Sequence, residues 1–448
     1  MRRAAAGAIT SAMSASAPPY PVVIGQAPRE AAAIVLSDVL DNRVALDEAL
    51  ARQRAFDRLA GEDRSFARAI VSAALRRLGA LDNVLAAFMA RPLPAKAGLA
   101  RAVLRCAAAE LLVLGAPAHA AVHTAVSVLQ AAPGGRSYAG LANAVLRRIA
   151  QEGAGMFGAA PPEADAPDWV VARWRAAYGA AKARAILTAA RTQPPLDLTA
   201  PADAWTWLAK LGAVRVGPTT ARLVQGAPEV ARLPGYDDGA WWVQDVAASL
   251  PAHLLAVRPG ERVADLCAAP GGKTLQLAAA GASVVAVDRS HPRLERLRVN
   301  LARCRLTADV VCADLMQWTP QELFDAVLLD APCSATGTLR RHPEVLWIKD
   351  ARDIARLAAL QRRLLERALA WLKPGGRLLY CVCSLEPEEG EGVVGSVLDQ
   401  GLARRQAITQ DEAAGFHPTA AGDLRTFPDD LQDIGGADGF FMARLVIP

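Results

Sequence analysis

From Arg262 onward the 448-residue chain alternates short apolar runs with stretches of helical period, a pattern that leaves few folds open. The strand candidates are Arg262–Leu266, Ser283–Val287, Asp309–Cys312, Ala326–Leu329 and Gly376–Val382, with a last one at Gly439–Val446. Between them, Leu275–Ala280, His291–Cys304, Asp350–Leu372 and Glu388–Leu398 read as helices. Ala326–Leu329 is apolar without alternation, as in a strand covered on both faces of a parallel sheet. The alternation predicts a doubly wound, mostly parallel α/β sheet. Its crossovers are right-handed, so the strands' carboxyl ends gather on one side, where open α/β sheets bind ligands.

Chemistry is concentrated at those ends. The first strand runs into Asp265-Leu266-Cys267-Ala268-Ala269-Pro270-Gly271-Gly272-Lys273-Thr274 and then a helix. Two glycines at such a turn let a ligand approach the backbone, with amides able to donate hydrogen bonds. Gly-x-Gly-x-x-Gly is absent, and so is the first glycine of a Walker loop, so the turn is neither of those. Asp288 ends the second strand 17 residues after Gly271, where a carboxylate takes ribose hydroxyls. Asp314, after the third, is placed to accept from an adenine amino group. Each Asp has a plainer reading as a cap of the following helix. Lys273, one of six lysines, opens a helix beside the turn and would hold a carboxylate or phosphate, or else lie solvated at the surface. A nucleoside cofactor with an amino-acid tail fits this layout, which points to S-adenosylmethionine.

The fourth run stops at Asp330, followed by Ala331-Pro332-Cys333-Ser334 on a loop; Cys383-Ser384 follows the fifth run 50 residues later. Two thiols and a carboxylate at neighbouring strand ends suit covalent catalysis. Cys381, two residues before Cys383, reads as a small buried hydrophobe further inside the strand.

The seven cysteines are odd in number and irregular in spacing, which argues against a disulfide framework and for a reducing, cytoplasmic location. No zinc-type spacing is present, so no metal is expected. No run reaches about 18 apolar residues, so no membrane span is expected. Charge is uneven. Residues 1–150 hold 18 Lys and Arg against 10 Asp and Glu, a net of +8; the remainder holds 32 against 35, a net of −3. A basic first third suits a polyanionic partner, or is simply a solvated Arg-rich face.

The division expected is a disordered leader over 1–27, a helical domain over 28–150, a linker over 151–167, a small α+β connecting subdomain over 168–240 and the α/β domain over 241–448. The leader has Arg2 and Arg3 but no Leu-rich core, and Pro18, Pro19 and Pro21 interrupt it. In the helical domain, apolar stripes run through Val35 and Val39, Ile70 to Leu78, Leu99 to Leu114 and Leu141 to Ile149. Asp168–Thr192 reads as two short helices anchored by Trp169, Trp174 and Tyr178.

Residues 28–150 resemble the NusB-type RNA-binding domain in Arg105-x4-Glu110-Leu111, Ala121-Val122-x3-Val126 and Leu141-Ala142-Asn143-Ala144-Val145-Leu146-Arg147. The chain has His123-Thr124 where that family usually has Asn-Glu. The C-terminal part resembles the RNA 5-methylcytosine methyltransferases in Asp265–Thr274, Asp330–Ser334, Gly337–Pro343, Cys383-Ser384-x2-Pro387-Glu388-Glu389 and Asp438–Phe441. The order of the two parts is similar to members acting on small-subunit ribosomal RNA. Val382 stands where that family usually has Thr, and Leu196–Thr199 where it usually has Arg-x-Asn.

The resemblance implies S-adenosylmethionine bound by residues 267–273, that is Cys267, Ala268, Ala269, Pro270, Gly271, Gly272 and Lys273, with Asp288, Asp314 and Asp330. It implies methyl transfer to carbon 5 of a cytosine in ribosomal RNA. Cys383 would be the nucleophile, Cys333 the thiol assisting product release, and Asp330 the group engaging ring nitrogen 3. Arg340, Arg341 and His342 would contact the RNA backbone. A monomer is expected. Transfer RNA as substrate, an amino-group methyltransferase, and a NusB-type transcription or assembly factor are the alternatives.

Overall fold

The computed structural model describes residues 25–201, 205–223 and 230–447. The expected leader lies outside the described residues as far as residue 24, and the first helix begins at Gln26.

The first domain is an all-α bundle of six main helices, Gln26–Asp41, Gly61–Arg76, Leu78–Phe88, Ala100–Leu112, Ala118–Ala131 and Ala139–Ala159, with two short helices at Leu46–Arg52 and Arg54–Asp57. Its core is rich in alanine, with Ala31, Ala32, Ala74, Ala108 and Ala142 fully buried, so the helices approach closely and Leu36, Ile70 and Leu81 fill between them. The expected stripes are inside, except that Leu114 and Leu141 are exposed. Leu114 falls beyond the end of its helix at Leu112.

The linker expected over 151–167 is shorter and packed. The helix beginning at Ala139 continues to Ala159, and a 3₁₀ turn at Pro162–Asp165 follows. Gly153 is buried within that helix, where a Cβ would press on Ile149 at 3.0 Å and touch Val84 at 3.5 Å. Asp165 is buried and takes Arg77 at 2.9 Å and Arg191 at 2.8 Å, which ties the segment to both neighbours. The next helix, Asp168–Ala189, is broken at Gly179 (φ 82°, ψ 160°), so its two halves correspond to the two helices expected.

The connecting subdomain is a four-stranded antiparallel sheet of β1 (Leu196–Thr199), β2 (Val214–Arg215), β3 (Thr220–Leu223) and β4 (Trp242–Val243), in the order β2-β3-β1-β4. β4 lies past residue 240, so this sheet reaches into the segment assigned above to the next domain. Arg222 on β3 grips Asp197 on β1 with two bonds of 2.7 and 2.8 Å, both side chains fully buried.

The larger sheet holds β5 (Arg262–Leu266), β6 (Ser283–Asp288), β7 (Asp309–Cys312), β8 (Phe324–Asp330), β9 (Leu372–Val382), β10 (Arg404–Arg405), β11 (Leu424–Thr426) and β12 (Phe440–Val446). Its parallel part runs β7-β6-β5-β8-β9; β12 is antiparallel on β9, and β10 and β11 pair with β12. Ala326, Val327, Leu328 and Leu329 on β8 are fully buried, as their unbroken apolarity requires. Strand order reverses between β5 and β8, and a ligand crevice opens at such a switch point.

Candidate active site

The turn after β5 and the ends of β8 and β9 converge. Cys333 Sγ and Cys383 Sγ lie 3.4 Å apart. Main-chain bonds fix their loops: Ala331 N donates to Cys381 O at 3.0 Å, and Gly337 N to Cys383 O at 3.0 Å. At Gly337 a Cβ would stand 1.9 Å from Gly439 O, so only glycine lets the backbone that leads into β12 pass this close. The Cys333 thiol is pushed well up by its hydrogen bond to Cys383, by burial, and by the charges of Cys383 and Glu389. The two sulfurs share a hydrogen bond in which either can be the donor.

Beside the thiols, Lys273 Nζ reaches Asp330 Oδ2 at 2.8 Å and lies 5.3 Å from the Phe440 ring centre. Burial opposes the Lys273 charge, but the Asp330 carboxylate outweighs it, so the ammonium is held more firmly than usual. Lys273 is buried, not a solvated surface side chain. Cys381 is equally buried, yet its Sγ lies 3.5 Å from Asp330 Oδ1, so it is a partner of the carboxylate and not merely a filler.

The glycine turn owes its glycines largely to packing. Gly271 has φ 110°, and a Cβ there would meet Leu297 Cδ1 at 2.1 Å; at Gly272 it would press on Gln244 at 3.1 Å. Asp288 is buried and accepts from Ala269 N at 3.2 Å and Ser290 N at 2.8 Å. It thereby ties the turn to β6 and also makes the local contact of the plainer reading. Asp314 is exposed and accepts from Met316 N at 2.9 Å. Cys267 and Gly272 are partly accessible, Ala268, Ala269 and Gly271 are buried, and Pro270 is exposed.

Asp265 was not singled out individually above. It is fully buried at the head of this turn, where Thr274 Oγ1 donates to its Oδ2 at 2.5 Å. Burial pushes its carboxyl up from 3.8 to about 7, and its Oδ1 has no hydrogen-bond partner among the described residues. An open acceptor beside a turn of this shape suits the ammonium group of a cofactor's amino-acid tail, so the residues present fit S-adenosylmethionine.

The arginines after the Asp330 loop face inward. Arg340 is fully buried, donates to Gly435 O and lies 3.7 Å from Asp438. Arg341 pairs with Asp245 at 2.6 Å and with Asp438 at 3.1 Å. Both are committed to carboxylates and carbonyls of the protein, which corrects the phosphate-contacting role expected for them. His342 lies 3.4 Å from Glu344, and that hydrogen bond raises its pKa against the effect of burial.

Sequence reasoning also missed Gln361 and the Ser334, Ser384 and Glu389 contacts. Gln361 is a fully buried polar residue on the apolar stripe of the helix Ala351–Leu369, between Ala358 and Leu364, and that misfit was its signal.

A glycine turn with an open Asp265 acceptor at the switch point of this sheet suits an S-adenosylmethionine-dependent methyltransferase. Residues 252–446 match the family model described as 16S rRNA methyltransferase RsmB/F, and residues 26–151 match the NusB family. The chain is 38% identical over 441 residues to "Ribosomal RNA small subunit methyltransferase B" of Xanthomonas campestris pv. campestris, covering 94% of this chain and 97% of the relative. It is 36% identical over 391 residues to the protein of that name from Vibrio cholerae, covering 83% and 89%. The solved structure of PH0851 superposes with a TM-score of 0.71 at 23% identity, over 93% of this chain and 98% of the other. That of NSun6 from Pyrococcus horikoshii with SFG gives 0.55 at 18% identity, over 63% and 98%. The chain belongs to the RsmB/F methyltransferase family. No helix among the described residues is long and apolar enough to cross a membrane.

Proposed function

We propose that this protein transfers a methyl group from S-adenosylmethionine to carbon 5 of a cytosine in small-subunit ribosomal RNA, through a covalent Cys383 adduct. When bound, S-adenosylmethionine supplies an electrophilic methyl group. Residues 267–273, with Asp265, Asp288, Asp314 and Asp330, would hold it. The observation that carries the reading is the pair of thiols 3.4 Å apart beside the Asp330–Lys273 ion pair.

Carbon 5 of cytosine is a poor nucleophile. A thiolate that adds to carbon 6 converts the ring to an enamine, whose carbon 5 can take a methyl group. A base then takes the carbon 5 proton, and the electron pair of that bond re-forms the carbon 5–carbon 6 double bond as the Cys383 thiolate leaves. Cys383, in the Val-Cys-Ser context after β9, is the adding thiol. Cys333, 3.4 Å from it, assists release of the methylated product. Asp330, anchored by Lys273, accepts from ring nitrogen 3 as that nitrogen becomes protonated, and so favours addition. The cytosine leaves its stack to reach the thiols. The N-terminal domain, net +8 over residues 1–150, binds the RNA backbone. The working location is the cytoplasm, and the protein acts as a monomer.

The test uses purified protein, labelled S-adenosylmethionine and deproteinised small-subunit ribosomal RNA from cells lacking this gene. Label in 5-methylcytosine that disappears with Cys383→Ala is the expected result. Label in another nucleoside removes the proposed chemistry. Label on transfer RNA alone moves the substrate and keeps the mechanism.

A further inference from the structure

The two thiol loops are 50 residues apart in sequence and are joined by no covalent bond, yet their sulfurs stand 3.4 Å apart. A serine follows each thiol directly. Ser334 Oγ and Ser384 Oγ both donate to Glu389 Oε2, each at 2.5 Å. Ser334 N donates to Glu389 Oε1 at 2.9 Å, and Gln361 Nε2 donates to the same oxygen at 3.0 Å. Gln361 Nε2 also reaches Pro332 O, just before Cys333, at 2.9 Å. Ser334, Ser384, Gln361 and Glu389 are all fully buried. One carboxylate thus receives donors from both thiol loops and from the helix behind them.

A buried carboxylate is expensive unless cations or donors surround it. Glu389 has no ion pair among the described residues; four neutral donors serve it instead. An ionised carboxylate only accepts, so all four donors must point at it, which fixes the direction of both loops. A core amide could satisfy some of these groups but would turn an N–H toward one loop.

We propose that Glu389 is a positioning residue that sets the spacing between Cys333 and Cys383. It is fully buried and acts through Ser334 and Ser384. The inference rests on the two-thiol reading of the site. A displacement of about 1 Å between reacting groups can lower a rate about 100-fold.

The test reads spacing and turnover separately in the full-length protein, comparing wild type with Glu389→Gln and Ser384→Ala. Diamide oxidises the thiols, and peptide mass mapping follows formation of the Cys333–Cys383 disulfide. In both variants this disulfide is expected to form about tenfold more slowly, with kcat for methyl transfer lowered about 10- to 100-fold at unchanged KM for S-adenosylmethionine. Wild-type cross-linking and wild-type kcat in Glu389→Gln overturn the proposal. So does a change in KM alone. If Glu389→Gln does not fold, Ser384→Ala, which removes one donor, decides by the same two readings. If the chain methylates no RNA, cross-linking still reports the spacing, so failure of the functional reading is separable from failure of this one.

Discussion

The proposed chemistry rests on two cysteines whose sulfurs lie 3.4 Å apart, Cys383 as the adding thiol and Cys333 as the one that assists release. Cys383→Ala should abolish methyl transfer. Cys333→Ala should accumulate a protein–RNA adduct, seen as a retarded band under denaturing conditions; no such band would sink the division of roles. Asp265 gives a second prediction at this scale. Its folded carboxyl titrates at about 7 against an ordinary 3.8, so the native state holds an extra proton between those values. Its contribution is therefore complete below about pH 4 and is lost as pH rises towards 7. Asp265→Asn, which carries no charge, should stabilise the cofactor-free protein more at pH 8 than at pH 5, the difference being on the order of 2–3 kcal/mol at most. Denaturant melts at the two pH values check this; equal effects at both would refute it.

The elements that carry these residues were largely readable, for identifiable reasons. β5 and β7 span the expected Arg262–Leu266 and Asp309–Cys312: in β5 Val263, Ala264 and Leu266 are buried in the parallel sheet, while β7 lies at its edge with half-buried and exposed residues. β9 starts at Leu372, four residues earlier than Gly376, because Lys373, Pro374 and Gly375 hide the pairing of Leu372 with Phe324. The helix through Gln151 was misread as linker because Gly and Ala are common to both, and packing against Val84 decides between them. The inward turn of Arg340 and Arg341 was not legible either. It depends on Asp245 and Asp438, each about a hundred residues away, and no local pattern records such partners. At this scale Arg76 is informative. From the end of the helix Gly61–Arg76 it donates to Arg340 O at 2.6 Å, Ala190 O at 3.2 Å and Thr192 O at 3.3 Å. Burial lowers its pKa to about 10. Arg76→Ala should remove the charged donor that serves these carbonyls, two of them in partly buried contacts, and destabilise the protein by about 1–3 kcal/mol in denaturant melts. It should also reduce methyl transfer, since Arg340 lies on the loop that leads from Cys333.

Across the whole molecule, charge is divided as chemistry is. Exposed basic residues such as Arg91 and Lys96 belong to the helical domain, while the thiols and carboxylates lie in the α/β domain. RNA affinity should therefore fall steeply with salt, and Arg91→Glu with Lys96→Glu should flatten the plot of log affinity against log salt without altering binding of S-adenosylmethionine. An unchanged slope would move the RNA-binding face elsewhere.

Leu46 N reaching Glu344 at 3.1 Å, Arg43 reaching Ile348 O at 3.0 Å, and the three carbonyls on Arg76 have one further consequence. Ile348, from the catalytic domain, is counted among the buried side chains of the helical core. A scanning calorimeter should accordingly record a single endotherm for the pair of domains, and a protease should find no cut that frees one of them intact. Damage to an alanine-packed helix far from the crevice would then be felt as lost enzyme, with the recognition half and the reacting half failing together.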